Sequence, residues 1–106
     1  RPYFMQSYDA VREGQWERLK TITALWLKSE PQSSEAIFSN AIAHFELKDF
    51  EMAKKQLSDV VKKNPRHAQA QLYLLKLAKL NHDDHEAHAI EILLSQLDES
   101  LLKESQ

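Results

Sequence analysis

Residues 34–66 read SEAIFSNAIAHFELKDFEMAKKQLSDVVKKNPR, and they contain the clearest helical pattern of the chain. In it, Phe50 precedes the small residue Ala53 by three positions, further aliphatic residues follow at helical spacing, and Pro65 closes the stretch. Aliphatic residues that recur every three or four positions form one side of a helix, and a proline ends it. The stretch therefore predicts two antiparallel helices with a tight exit.

The same pattern recurs along the chain at a spacing of 34 residues. Pro31 and Pro65 are separated by this distance, and three further sets of positions keep it: Trp16 with Phe50, Leu19 with Ala53 and Ala87, and Trp26 with Val60 and Leu94. A fixed period of this length is the signature of a helical-hairpin repeat.

The composition agrees with a single all-helical domain. The chain has 106 residues, of which 42% are hydrophobic and 28% are charged, as in a globular protein with a modest core. A single glycine and three prolines leave few positions for tight turns or β-hairpins. Because cysteine is absent, neither disulfides nor thiolate metal ligands contribute.

Periodicity and helix-breaking residues predict six helices. Four of them span residues 3–12, 15–28, 35–47 and 67–80, and the other two begin at Asp49 and Asp83. Ser33 or Ser34 is expected to cap the third helix, since serine side chains accept hydrogen bonds from helix N-termini. Asp83 followed by Glu86 resembles a capping box for the sixth helix.

Charge and hydropathy exclude two classes of partner. The net charge of −2 argues against a general nucleic-acid binder, which needs an excess of Lys and Arg. The longest apolar-rich stretch, residues 72–80, is interrupted by Lys76 and Lys79 and is too short for a membrane span. We expect a soluble domain without membrane insertion, with the cytoplasm slightly favoured over the periplasm. Because the sequence begins with Arg1 rather than Met, we expect it to be part of a longer protein.

The charges are unevenly distributed along the chain. Residues 48–79 carry eight basic and three acidic groups, whereas residues 80–106 carry one basic and seven acidic groups. Solvated helix faces explain this distribution, and so does a head-to-tail attraction between copies or towards a neighbouring domain. A homo-oligomer is therefore left open.

With this period and these residues, the chain resembles the tetratricopeptide repeat (TPR) family. The middle copy resembles it most, in the positions Ala41, Asp49, Phe50, Ala53 and Pro65. The first copy keeps the glycine, the tryptophan and the proline of the pattern, at Gly14, Trp16 and Pro31. The third keeps Ala87 and Leu94 but lacks the aromatic residue and the proline.

The resemblance implies a right-handed α-solenoid of about three antiparallel hairpins within one domain. The hairpins would comprise residues 3–31, 34–66 and 67–98, of which the first and third are degenerate, as at the ends of other repeat arrays. Residues 99–106 would form a tail that is frayed or acts as a short lid through Leu101 and Leu102.

The resemblance also implies a concave groove, lined by the first helix of each hairpin, that binds a peptide or an amphipathic helix. The positions that match are Phe4, Tyr8, Arg12, Phe38, Ile42, Phe45, Glu46, Leu72, Lys76 and Lys79. Family members that bind acidic chaperone tails use a clamp of Lys, Asn and further basic residues. Phe4, Tyr8, Ser39, Gln69 and Tyr73 stand at those positions here, so we do not expect such tails to bind.

Histidines provide the remaining candidate chemistry. His82, His85 and His88 lie near one helix start and are weak candidates for a zinc or nickel site, because their spacing specifies no third ligand. His44 falls at a packing position and is interpreted as a core residue. No phosphate-binding loop, activated nucleophile or paired catalytic carboxylates are recognisable, so no cofactor and no enzymatic activity are expected.

Two functional interpretations follow from the sequence. The first is a non-catalytic scaffold that binds a protein or peptide partner in the groove. The alternative is a structural spacer or self-association domain, which would use the end of the repeat array and its oppositely charged halves.

Overall fold

The computed structural model describes the backbone of residues 1–104 and the side chains of residues 1–99. Six helices and no strand are present in this part of the chain: α1 (Tyr3–Arg12), α2 (Trp16–Ser29), α3 (Ser34–Glu46), α4 (Phe50–Lys63), α5 (Ala68–Leu80) and α6 (Asp84–Glu104). The prediction of an all-helical chain with six helices is therefore confirmed.

The helix bounds repeat with the spacing that the sequence predicts. The first helices of the hairpins end at Arg12, Glu46 and Leu80, and the second helices begin at Trp16, Phe50 and Asp84. Within each of these two sets, successive bounds are 34 residues apart. The period is thus a property of the backbone as well as of the sequence.

The turn inside each hairpin has the same backbone conformation in all three copies. Gly14, Lys48 and His82 have positive φ angles of 67°, 70° and 56°. The amide N–H of each donates to the carbonyl three residues earlier, at 3.1, 3.0 and 3.1 Å, and the next N–H donates to the carbonyl five residues before it, at 2.9, 2.8 and 2.9 Å. This pair of bonds is the Schellman motif, in which a left-handed residue ends a helix.

Side chains cap the starts of several helices, again in phase with the repeat. The Ser33 hydroxyl accepts a hydrogen bond from the Ala36 N–H at 3.2 Å, and the His67 Nδ1 accepts one from the Ala70 N–H at 3.1 Å. Ser33 is one of the two serines that the sequence suggested as the cap. The Asp83 carboxylate accepts from the N–H of Glu86 at 3.1 Å, which supplies the expected cap of α6.

The last helix differs from the predicted tail. α6 continues to Glu104 and so includes most of the residues that were expected to be frayed or to form a lid. The reason is visible in the sequence: Pro31 and Pro65 follow the ends of α2 and α4, but Glu99 stands at the equivalent position of the third copy. The side chains of Leu101 and Leu102 lie outside the described residues, as do residues 105 and 106.

The helices pack as two compact units, which we call unit 1 (residues 1–60) and unit 2 (the described residues from Val61 onward). In unit 1, α2 packs against both α1 and α3, and α1 also contacts α3. In unit 2, α5 packs against α6. The position where Leu19, Ala53 and Ala87 align is buried in all three copies.

A chain of hydrogen bonds between polar side chains runs through unit 1. The Thr23 hydroxyl donates to the Leu19 carbonyl at 2.7 Å, and the Asn40 side-chain NH₂ donates to the Thr23 oxygen at 2.8 Å. The Gln56 NH₂ then donates to the Asn40 side-chain oxygen at 2.7 Å. Thr23 and Asn40 are buried, so these bonds satisfy polar groups that water does not reach and tie α2, α3 and α4 together.

The direction of this hydrogen-bond chain determines the role of His44. The Gln56 side-chain nitrogen donates to Asn40, so the Gln56 Oε1 is left as an acceptor. The His44 Nδ1 lies 2.9 Å from this Gln56 oxygen. The Nδ1 therefore carries a hydrogen and donates. His44 is half-buried and joins α3 to α4 through this contact, at the edge of unit 1 and not within its core as expected from the sequence.

The repeated turn generates a first prediction. L-residues adopt positive φ at a cost that glycine avoids, so Lys48→Gly and His82→Gly should each raise the free energy of unfolding by about 0.5–1 kcal/mol in urea titrations. The matched control is Lys55→Gly, an exposed lysine inside α4, which should lower it by about 1 kcal/mol. Equal losses in all three variants would contradict the role of the left-handed turns.

The hydrogen-bond chain generates a second prediction. Asn40→Ala removes the partner of both Thr23 and Gln56, and we expect a loss of about 2–3 kcal/mol of unfolding free energy, because buried polar groups are left unsatisfied. Ser39→Ala, at the adjacent half-buried residue, should change stability by less than about 0.5 kcal/mol. A similar small effect of Asn40→Ala in urea unfolding would show that the chain of bonds does not stabilise unit 1.

Candidate functional site

The first helix exposes an unusual amount of apolar surface. Phe4, Met5, Tyr8 and Val11, which we call the α1 face, are 58%, 40%, 65% and 37% exposed. Phe4, Tyr8 and Val11 follow a spacing of four and then three residues, which places them along one side of the helix. The residues that α1 buries are small, Ser7 and Ala10, so its large side chains are not used by the core of unit 1.

Charged groups accompany the aromatic residues of α1. The Asp9 carboxylate lies 2.9 Å from the Arg1 guanidinium and 3.5 Å from that of Arg12. The Arg12 guanidinium carbon also lies 5.8 Å from the centroid of the Tyr8 ring, within the range of a cation–π contact. Both arginines are more than half exposed, and ion pairs of this kind contribute little to stability. They place charged groups beside the Tyr8 ring.

Two cavities open beside Phe4, which lines both. The small cavity has a volume of about 310 Å³ and is lined by Arg1, Phe4, Met5, Tyr8 and Asp9. The aromatic cavity has a volume of about 550 Å³ and is lined by Pro2, Tyr3, Phe4, Trp26, Glu30, Ser33, Ser34 and Glu35. Both volumes are typical of protein ligand sites.

The predicted groove residues on α3 are less accessible than those on α1. Phe38 and Phe45 are half-buried, and the Phe45 ring packs edge-to-face on Phe50 with centroids 5.4 Å apart. Ile42 was expected to line the groove, but it is a core residue with 9% of its surface exposed. The reason is that α3 is buried around much of its circumference, since Ala41 and Ala43 are fully buried on either side of Ile42. Glu46 is exposed.

The remaining predicted groove residues belong to α5, in unit 2. Leu72 is 45% exposed, and Lys76 and Lys79 are also exposed. The Lys76 ammonium lies 4.8 Å from the centroid of the Tyr73 ring, a second cation–π contact. The predicted groove residues are thus distributed over both units, seven in unit 1 and three in unit 2.

The histidines near the start of α6 are solvent-exposed. His82 occupies the left-handed turn position, while His85 and His88 lie in the first turns of α6. Within the described residues, no group of three or more His, Cys, Asp or Glu side chains is arranged to hold a metal ion.

Sequence reasoning missed the aromatic cavity. Its walls come from three stretches, residues 2–4, 26–30 and 33–35, which are brought together by the packing of α1, α2 and α3. The sequence does indicate that the end of α2 and the start of α3 are close, because Pro31 and the Ser33 cap leave only a short connection between them. Gly14 likewise leaves only a short connection between α1 and α2, but the cavity itself depends on how the side chains of the three helices pack.

Comparison with known proteins adds no family to these observations. No protein-family model matches the chain, and no curated protein matches it. None of the helices in the described part of the chain has the length and hydrophobicity required to cross a membrane.

The exposure of the α1 face generates a third prediction. Tyr8→Ser removes a side chain that is 65% exposed and should lower the free energy of unfolding by less than about 1 kcal/mol. Ile42→Ser places a hydroxyl in the core and should cost more than about 2 kcal/mol. Thermal and urea unfolding of the two variants provide the test, and a greater loss for Tyr8→Ser would contradict the placement of these residues.

Proposed function

We propose that this chain is a TPR-like, non-catalytic interaction module that binds an amphipathic helix or an apolar extended segment of a partner protein. The assignment to the TPR family is supported by the 34-residue spacing of helix bounds, Schellman turns and caps. Repeat proteins of this kind present surfaces from successive hairpins to their partners.

The proposal is based on the solvent exposure of the α1 face. Large apolar side chains that are grouped and exposed on one surface mark interaction sites more often than isolated ones do. Aromatic residues such as Phe4 and Tyr8 contribute a large share of binding energy when a partner buries them. The small cavity between these two residues offers a place for an apolar side chain of the partner.

Peptide selection tests this proposal with a library in place of an identified partner. A displayed library of helical peptides would be selected on the chain, and the dissociation constants of the selected peptides measured by fluorescence anisotropy. We expect Tyr8→Glu to weaken binding at least about tenfold, because a charge replaces an aromatic anchor. Leu25→Glu is the matched control, since Leu25 is 50% exposed on α2, and it should leave the affinity within about twofold.

Two outcomes would contradict the proposal. One is that no peptide is enriched above the level of an unrelated helical protein. The other is that Tyr8→Glu and Leu25→Glu weaken the selected peptides equally, because binding would then not depend on the α1 face. Circular dichroism and urea unfolding of both variants show that any loss comes from the surface and not from unfolding.

The alternative function, a spacer or self-association domain, is favoured by the uneven charge of the sequence. Residues 48–79 are predominantly basic and residues 80–106 predominantly acidic. Attraction between such segments of two copies weakens as salt screens it. Light scattering that gives the 12.3 kDa monomer at both low and high salt agrees with the binding module, whereas a dimer that dissociates in salt would favour self-association.

A further inference from the structure

The aromatic cavity combines aromatic walls with acidic groups. It lies in unit 1, where α1 begins, α2 ends and α3 begins, and Tyr3, Phe4 and Trp26 supply its aromatic surface. Trp26 is 6% exposed and is therefore held firmly by the core, whereas Phe4 is 58% exposed. Among the lining residues, Glu30 and Glu35 are charged, and none is basic.

The two carboxylates have no partner in the described part of the chain. Neither Glu30 nor Glu35 forms an ion pair or a hydrogen bond through its side chain there, and both are exposed. Arg1 and Lys28 are the basic residues nearest in sequence to this cavity. The Arg1 guanidinium is paired with Asp9 at 2.9 Å, and Lys28 forms no ion pair with either glutamate. The side chains that line the cavity therefore carry a net negative charge, and no ion pair of the described residues neutralises it.

Helix ends strengthen this charge on one side of the cavity. Glu30 is the C-cap of α2, where the unpaired carbonyls of the last turn already carry partial negative charge, so a carboxylate there is unfavourable. The opposite holds at the start of α3, where the Ser33 hydroxyl and the acidic Glu35 compensate the positive helix end. A bound cation would relieve the unfavourable interaction at Glu30.

We propose that the aromatic cavity binds an arginine side chain of the partner segment. A guanidinium is planar, stacks on aromatic rings and donates paired hydrogen bonds to carboxylates, and the cavity offers both kinds of surface. The ammonium of lysine is more strongly hydrated and cannot stack in this way. The inference rests on the proposed function, since Phe4 belongs both to the α1 face and to this cavity.

Nuclear magnetic resonance titration of the full chain tests the inference without a partner. The probe is N-acetyl-arginine methylamide at low ionic strength, and N-acetyl-citrulline methylamide is the control of equal shape without the charge. We expect saturable shifts of the Trp26 indole and of the amides of Ser34 and Glu35 with the arginine probe. Citrulline should bind at least about tenfold more weakly, because charge-assisted hydrogen bonds are lost.

Variants assign the binding to the two carboxylates. The double variant Glu30→Gln/Glu35→Gln should weaken the arginine probe at least about tenfold, while Glu17→Gln, an exposed glutamate in the first turn of α2, should leave it unchanged. Equal affinity for the citrulline probe, equal affinity for the corresponding lysine compound, or an unchanged affinity of the double variant would each overturn the inference.

The test separates this inference from the proposed function. Tyr8 does not line the aromatic cavity, so Tyr8→Glu should weaken the selected peptides at least about tenfold but retain binding of the arginine probe. If the probe fails while peptides still bind in a Tyr8-dependent manner, the arginine site is wrong and the interaction module stands. If the probe binds and no peptide does, the module is wrong and the cation site stands.

Discussion

The left-handed turn that closes each hairpin sets the spacing of the helices along the whole described chain. Gly14, Lys48 and His82 adopt it at equal spacing, and each ends a first helix with the same two backbone hydrogen bonds. The position of the turn determines where the second helix starts and therefore which of its residues face the first helix. Because the three turns are in phase, the aligned residues Leu19, Ala53 and Ala87 of the second helices are buried at the same place in every copy.

The side chains within this regular backbone are not repeated, and the difference carries specificity. Thr23, Asn40 and Gln56 form the buried hydrogen-bond chain of unit 1, but the positions one period later are Leu57, Leu74 and Ile90. Helices with similar apolar faces could pack in several combinations, whereas a polar group is satisfied only opposite its own partner. We attribute the correct pairing of α2, α3 and α4 to this chain of bonds.

Much of the fold could be predicted from the sequence, because helix periodicity, capping residues and prolines act locally. The extension of α6 and the burial of Ile42 could not. Glu99 stands in place of a proline, which permits α6 to continue but does not require it to. Periodicity identifies the buried side of α3, but the width of the buried side depends on the helices that pack against α3. Residue 48 was expected between the third and fourth helices, but its positive φ could not be predicted, because lysine does not favour it and the turn is imposed by the helices on either side. Part of the candidate site could also be predicted, because it depends on helix periodicity within α1. Phe4 and Tyr8 could be assigned to one side of α1, since they lie one helical turn apart. The aromatic cavity depends on how side chains more than twenty positions apart, such as Phe4 and Trp26, are packed, and helix periodicity does not determine that packing.

The packing of α1 connects stability with recognition. This helix approaches the rest of unit 1 through Ser7 and Ala10, and small side chains allow two helices to lie close together. Close packing through small residues leaves Phe4 and Tyr8 in solvent, at a cost that burial against a partner would remove. Since Phe4 also lines the aromatic cavity, a segment that binds the α1 face as proposed would lie beside Glu30 and Glu35. An apolar anchor alone would fit many amphipathic helices. If the proposed arginine contact also forms, a segment without a guanidinium there would leave the carboxylates desolvated and uncompensated, and the choice of partner would be narrower.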